Sequence, residues 1–136
     1  MDEVLIIRVR DEPGHTITTV AGEIDIATVG RLRTRLAWLA AAGRPLVLDL
    51  DLVTFIEAAG LNVLAGAARR AAARRSRLHV VSSREQLWRL TRITGLDDQV
   101  LLARTLGEAL AALPSARPMP AAGTPRETRR QERGSA

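Results

Sequence analysis

The chain has 136 residues at 14.7 kDa, 46% hydrophobic and 26% charged, which fits one soluble globular domain and not two. With no cysteine and only His15 and His79, disulfides, thiolate nucleophiles and thiolate metal sites are excluded, and a histidine metal centre has little to draw on. The formal charge of +5 is carried by arginine without lysine, and residues 114–136 hold +3 of it (five arginines, two glutamates), so the basic pI marks the tail rather than a polyanion-binding domain.

The elements follow in chain order. Val4–Val9 is an apolar strand, Asp11-Glu12-Pro13-Gly14 a turn, and His15–Ala21 a second, β-branched strand, together an antiparallel hairpin. Asp25 is placed to cap a helix running to Ala42, with Val29, Leu32, Leu36 and Leu39 on its apolar face and Gly43 closing it. Pro45–Leu50 reads as a strand covered on both faces. Glu57 to Arg75 is an alanine-dense helix, Leu78–Val81 a strand, Arg84–Ile93 a helix, and Gly95–Asp98 a turn. Val100–Leu102 is a short strand, and Thr105–Leu113 a last helix with Thr105 and Glu108 spaced as a capping box.

The order ββαβαβαβα requires crossovers onto a mixed, mostly parallel sheet of about five strands with about four helices, a single α/β domain over residues 1–113. Residues 114–136, rich in Pro, Gly and Arg, read as a disordered tail. No apolar run approaches the roughly 20 residues of a membrane span. The acidic start Met1-Asp2-Glu3 lacks the basic opening of a signal peptide, so a cytoplasmic protein without membrane contact is expected.

Ligands of open α/β sheets sit beyond the carboxyl ends of the strands, which singles out the junction from Asp49 to Val63. A helix starting near Glu57 offers unpaired N–H groups and a positive dipole end, and Ala58, Ala59 and Gly60 leave its first turn bare for another chain to approach. Three chemical readings compete there. Phosphate cradling fails because neither Gly60 nor Gly66 is followed by Lys and Ser/Thr. Asp49, Asp51 and Glu57 could form an acidic Mg²⁺ site, yet the same spacing suits strand-end solvation and capping. Ser76, Ser82 and Ser83 have only His79 as a nearby base, and it lies inside an apolar strand. No catalytic residue, metal or cofactor is therefore expected.

Three separated segments carry a family resemblance: Gly22-Glu23-Ile24-Asp25, the run from Leu46 to Ala67 (LVLDLDLVTFIEAAGLNVLAGA), and Thr94-Gly95-Leu96. Over about residues 4–113 the chain resembles the STAS domain of bacterial anti-sigma factor antagonists. The resemblance implies a small α/β domain whose helix after the third strand meets an anti-sigma factor, commonly a GHKL-type serine kinase. It further implies that binding frees a sigma factor, and that phosphorylation of a serine at that helix start breaks the complex. In Phe55-Ile56-Glu57-Ala58-Ala59-Gly60-Leu61, Glu57 replaces the usual aspartate. Ala58 and Ala59 replace the hydroxyl positions, and Ala59 matches the usual acceptor. A phosphate would add about −1.5 to −2 charges; alanine resembles the unmodified, binding-competent state.

The expected contact residues are thus Asp25, Thr54, Glu57, Ala58, Ala59, Gly60, Leu61 and Asn62, with Thr54, in the approach loop, a substitute acceptor. A monomer or weak homodimer is expected. Alternatives are a scaffold or sensor module of a stressosome-like assembly, or a small nucleotide- or phosphate-binding domain on the same helix start. The basic run Arg69, Arg70, Arg74, Arg75, Arg77 reads as a solvated face or an acidic-partner contact, not a nucleic-acid site, since no aromatics interleave. Trp38 and Trp88 fall off their helices' apolar stripes, at the edge of the core, and Trp88 beside Arg89 and Arg92 resembles an interface anchor.

Overall fold

The structure, a computed structural model, describes residues 4–114. The first three residues and the expected tail from residue 115 on lie outside that range. The hairpin is present as β1 (Leu5–Glu12) and β2 (His15–Ile24), followed by α1 (Val29–Ala41), β3 (Leu46–Ile56), α2 (Ala58–Ala73) and β4 (Leu78–Val81). Then come α3 (Glu85–Thr94), a 3₁₀ turn at Leu96–Asp98, β5 (Leu101–Ala103) and α4 (Leu106–Ala111).

The sheet runs β1-β2-β3-β4-β5, antiparallel between β1 and β2 and parallel elsewhere. Each parallel step moves in the same direction, so right-handed crossovers put α1, α2 and α3 on one face. That face holds the main core, in which Leu32, Leu36, Leu61, Leu64 and Leu87 meet Val20, Leu46, Leu48 and Val80. The alternate residues of the strands look the other way. Ile17, Val47, Val81 and Ala103 pack there under Ala109, Leu106 and Leu113 of α4 and the residues after it. Leu46, Val47 and Leu48 are all buried, as a strand covered on both faces requires.

Several boundaries differ from the sequence expectation: β1 runs on to Glu12 and β2 to Ile24, α4 ends at Ala111, and β3, α2 and β5 differ as well. β3 does not stop at Leu50 but continues to Ile56, so Asp51–Ile56 is strand rather than loop. Two register shifts against β2 keep it paired through Glu23↔Phe55 and Ile24↔Ile56, whereas its pairing with β4 ends at Asp49↔Val81. The carboxyl ends of β2 and β3 therefore project beyond the rest of the sheet. α2 ends at Ala73, short of Arg75, because Arg75 takes the left-handed conformation (φ 59°). Ser76 N–H then donates to Ala71 O and Arg75 N–H to Ala72 O, the bond pair of a Schellman motif built without glycine. β5 is displaced one residue, to Leu101–Ala103.

Candidate functional site

The projecting ends of β2 and β3 carry two helix starts side by side. At the first, Asp25 does not sit immediately before α1, whose regular turns begin at Val29. Its Oδ1 instead accepts from Ala27 N–H (2.9 Å) and Thr28 N–H (3.1 Å), which forms a capped turn leading into the helix. Thr28 completes the device: buried, it accepts from Asp25 N–H at 3.0 Å and donates to Glu23 O at 2.7 Å. That role of Thr28 was not visible in the sequence.

At the second start, Glu57 is the extended residue before α2 (φ −92°, ψ 170°), and its side chain caps no amide of its own helix. Its N–H donates to Ile24 O (3.0 Å) and its Oε1 accepts from Ile26 N–H (3.1 Å), so the two junctions are tied together through Glu57. The tie holds Ile26 out in solvent, 79% exposed, beside the first turn of α2. Sequence reasoning missed Ile26; a large apolar residue immediately after a capping aspartate was the available signal.

The expected contact residues separate by burial. Ala58 and Asn62 are exposed and lie one turn apart on the solvent side of α2, while Ala59 is half-buried against the core. Gly60 and Leu61 are buried, so neither presents a side chain to a partner. A Cβ on Gly60 would stand 2.7 Å from Ile24 Cγ2 and 2.8 Å from Ile56 Cγ1. Gly60 thus allows the first turn to sit down on the ends of β2 and β3, and Leu61 anchors it from below. Thr54 belongs to β3 rather than to an approach loop; it is exposed, and its Oγ1 donates to Gly22 O at 3.4 Å.

The acidic residues do not converge. Asp49 Oδ1 accepts from Asp51 N–H (3.0 Å), and Asp51 Oδ1 accepts both Ser83 N–H and Ser83 Oγ–H at 2.7 Å. Those bonds from Ser83, the hydroxyl first, hold the Asp51 carboxyl below its ordinary range. Glu57 is engaged with Ile26, and among the described residues no three His, Cys, Asp or Glu side chains gather as a metal site would need. Nor does a serine–histidine pair form. Ser82 Oγ accepts from Arg84 N–H, Ser83 is held by Asp51, and Ser76 Oγ and His79 Nδ1 are each buried without a partner. Burial, with Arg77 adding to it, pushes the His79 imidazole below its ordinary pKa.

Of the two tryptophans, Trp88 lies at the edge of the core, where the helical pattern put it, and Trp38 does not. Trp88 is half-buried; its Nε1 donates to Ser82 O (2.7 Å), and the Arg104 guanidinium lies 4.3 Å from its ring centre. It is used within the fold, with Arg104 rather than Arg89 or Arg92 against it. Trp38, expected at the core edge, is 79% exposed. Among the described residues no helix is long and apolar enough to cross a membrane.

Comparison with known proteins agrees with this geometry. Residues 7–109 match the STAS domain family. An anti-sigma-B factor antagonist of Listeria monocytogenes serovar 1/2a is 34% identical over 95 residues, covering 69% of this chain and 83% of that protein. The crystal structure of an anti-sigma factor antagonist from Mycobacterium paratuberculosis is 32% identical, with a TM-score of 0.74 over 81% of this chain and 94% of that one. The phosphorylated form of the Bacillus cell fate determinant SpoIIAA shares the fold at 16% identity, with a TM-score of 0.62 over 78% and 97% of the two chains. The five-stranded sheet, the bare helix start that follows β3 and these likenesses together make the chain a member of the STAS domain family, alongside the anti-sigma factor antagonists.

Proposed function

We propose that this chain is an anti-sigma factor antagonist, a regulator and not an enzyme, which binds an anti-sigma factor of the serine-kinase type on the first turn of α2. The observation that carries the reading is the exposed step formed by Ile26, Ala58 and Asn62, with Glu57 turned away to hold Ile26. No carboxylate or hydroxyl of the first turn occupies its amides, since Glu57 makes no side-chain cap. A partner can therefore approach the helix start closely, where the dipole favours its polar groups.

The same step sets the regulation. Ala58 and Ala59 offer no oxygen to phosphorylate, so the protein is held in the form that binds, and its control lies in its abundance or in another signal. Calorimetry of the purified chain against the anti-sigma factors encoded in its own genome tests the reading, together with phosphate transfer from ATP. One of them binds, wild type takes up no phosphate, and Ala59→Ser becomes a substrate. Ala58→Asp, which places charge where the partner sits, weakens the complex by about tenfold or more. Binding of ATP or GTP by the chain itself, or phosphate uptake by wild type, would count against it.

A further inference from the structure

Helices α1 and α2 carry Arg31, Arg33, Arg35, Arg69 and Arg70 and not one carboxylate between them. Residues 1–113 as a whole are nearly balanced, at +2. The charge is thus sorted rather than abundant: the neighbouring helices α1 and α2 are purely basic, while the acids lie on the strands, at the junctions and on α3 and α4. All five of these arginines are exposed, and the ion pairs found among the described residues use Arg10, Arg44, Arg92 and Arg104 instead. Such one-signed faces are a cost to the isolated molecule and a source of steering and register toward a charged partner.

The shape supports the same conclusion. Arg33 of α1 and Asn62, Val63, Gly66, Arg69 and Arg70 of α2 line a groove of about 200 Å³ between the two helices. Its floor is bare at Gly66, where Arg69 Nη2 and Arg70 Nη1 lie 3.8 and 3.7 Å from the place a Cβ would take. Two guanidiniums over a side-chain-sized hollow suit a carboxylate, which they can engage through paired N–H donors. Asn62 joins this groove to Ala58, one turn earlier on the same side of α2, so the groove continues the proposed contact turn. On the outside of α1, Trp38 is 79% exposed, with Arg35 three and Arg31 seven residues before it on one helical stripe. Tryptophan and arginine are the side chains that anchor protein interfaces most strongly.

We propose that the α1/α2 face is a second docking surface, which takes an acidic face of the anti-sigma factor, its carboxylates seated over Gly66 and an apolar group against Trp38. The inference rests on the proposed function, because it names the chemistry of that same partner. It extends the contact from the helix start along the length of α2.

Titration calorimetry with the anti-sigma factor, at low and high salt, tests it on the full chain. The variants are Arg33→Glu/Arg69→Glu/Arg70→Glu, the milder Arg33→Ala/Arg69→Ala/Arg70→Ala, Trp38→Ala and Ala58→Asp, each checked for native circular dichroism. Both triple variants weaken binding, the reversal by about tenfold or more, and flatten its dependence on salt; Trp38→Ala weakens it several-fold at either salt. If Ala58→Asp alone weakens the complex and the arginine and Trp38 variants bind like wild type, the second surface is wrong while the proposed function stands. If no anti-sigma factor binds wild type, both fall. Duplex DNA bound by wild type and released by the triple variants, with binding of the anti-sigma factor unchanged, would reassign the face to nucleic acid.

Discussion

Two junctions at the same edge of the sheet, β4 to α3 and β3 to α2, share a topology and differ in chemistry. The polar groups of the first are answered within the fold, in part by Asp51 of the neighbouring β3. Asp51 accepts both hydrogens of Ser83, Ser82 accepts from Arg84 N–H, and Trp88 closes on Ser82 O. The second has no hydroxyl in its turn, and its one acid serves the neighbouring junction at Ile26. A strand end whose donors are met within the fold is complete as structure. One stripped of side-chain oxygen leaves them to water or to another molecule.

The contrast can be broken most forcefully at Gly60. Replacing it with alanine drives a methyl group into Ile24 and Ile56 and costs about 2 kcal/mol of stability, measured by urea denaturation. Unchanged stability would mean that the bare turn does not sit tightly on the strands.

At the other junction, Asp51→Ala removes the acceptor for Ser83 and costs about 1 kcal/mol at neutral pH. The pH dependence has a defined sign. Because the folded pKa of Asp51 lies below its unfolded value of 3.8, its contribution is present above 3.8 and is lost as pH falls through the folded value. The variant lacks that part of the acid limb.

His79 separates the junctions from the rest of the domain by its window. Its folded pKa is depressed below 6.5, so the unfolded chain binds the proton more readily, and stability is full above 6.5 and declines as pH drops below it. The melting temperature of wild type falls between about pH 7 and 5, a range set by the unperturbed imidazole, and His79→Leu flattens the curve there. The smallest effect belongs to Glu57→Gln, which keeps an acceptor for Ile26 N–H and shifts stability by less than about 0.5 kcal/mol. Glu57→Ala speeds hydrogen exchange at the Ile26 amide, and Glu57→Gln does not.

Much of this was legible along the chain. The apolar spacing of Val29, Leu32 and Leu36 gave α1, Gly43 (φ 77°) ended it, and Thr105 does accept from Glu108 N–H at 3.1 Å. Glu108 reaches back as a capping box would, though to Arg104 N–H, one residue before the cap. What escaped was set by partners distant in sequence. The continuation of β3 past Leu50 depends on its pairing with β2, and the end of α2 depends on a left-handed arginine that no glycine announces. Of the candidate site, the residue types singled out the turn after β3, but not which of them face outward. Gly60 and Leu61 are buried, whereas Ile26, thirty-one residues from Glu57, joins the surface through a single hydrogen bond.

The sequence by itself determined the alternation of strands and helices, the family and the absence of a hydroxyl at residues 58 and 59, because hydrophobic period, turn residues and side-chain chemistry are local properties. Only the tertiary structure decided which atoms meet solvent: that Glu57 would hold Ile26, that Trp38 would stand free while Trp88 lies against Arg104, and that arginines of two helices would flank one groove. Exposure and pairing arise when separate segments pack, and no window along one chain contains both sides of a contact.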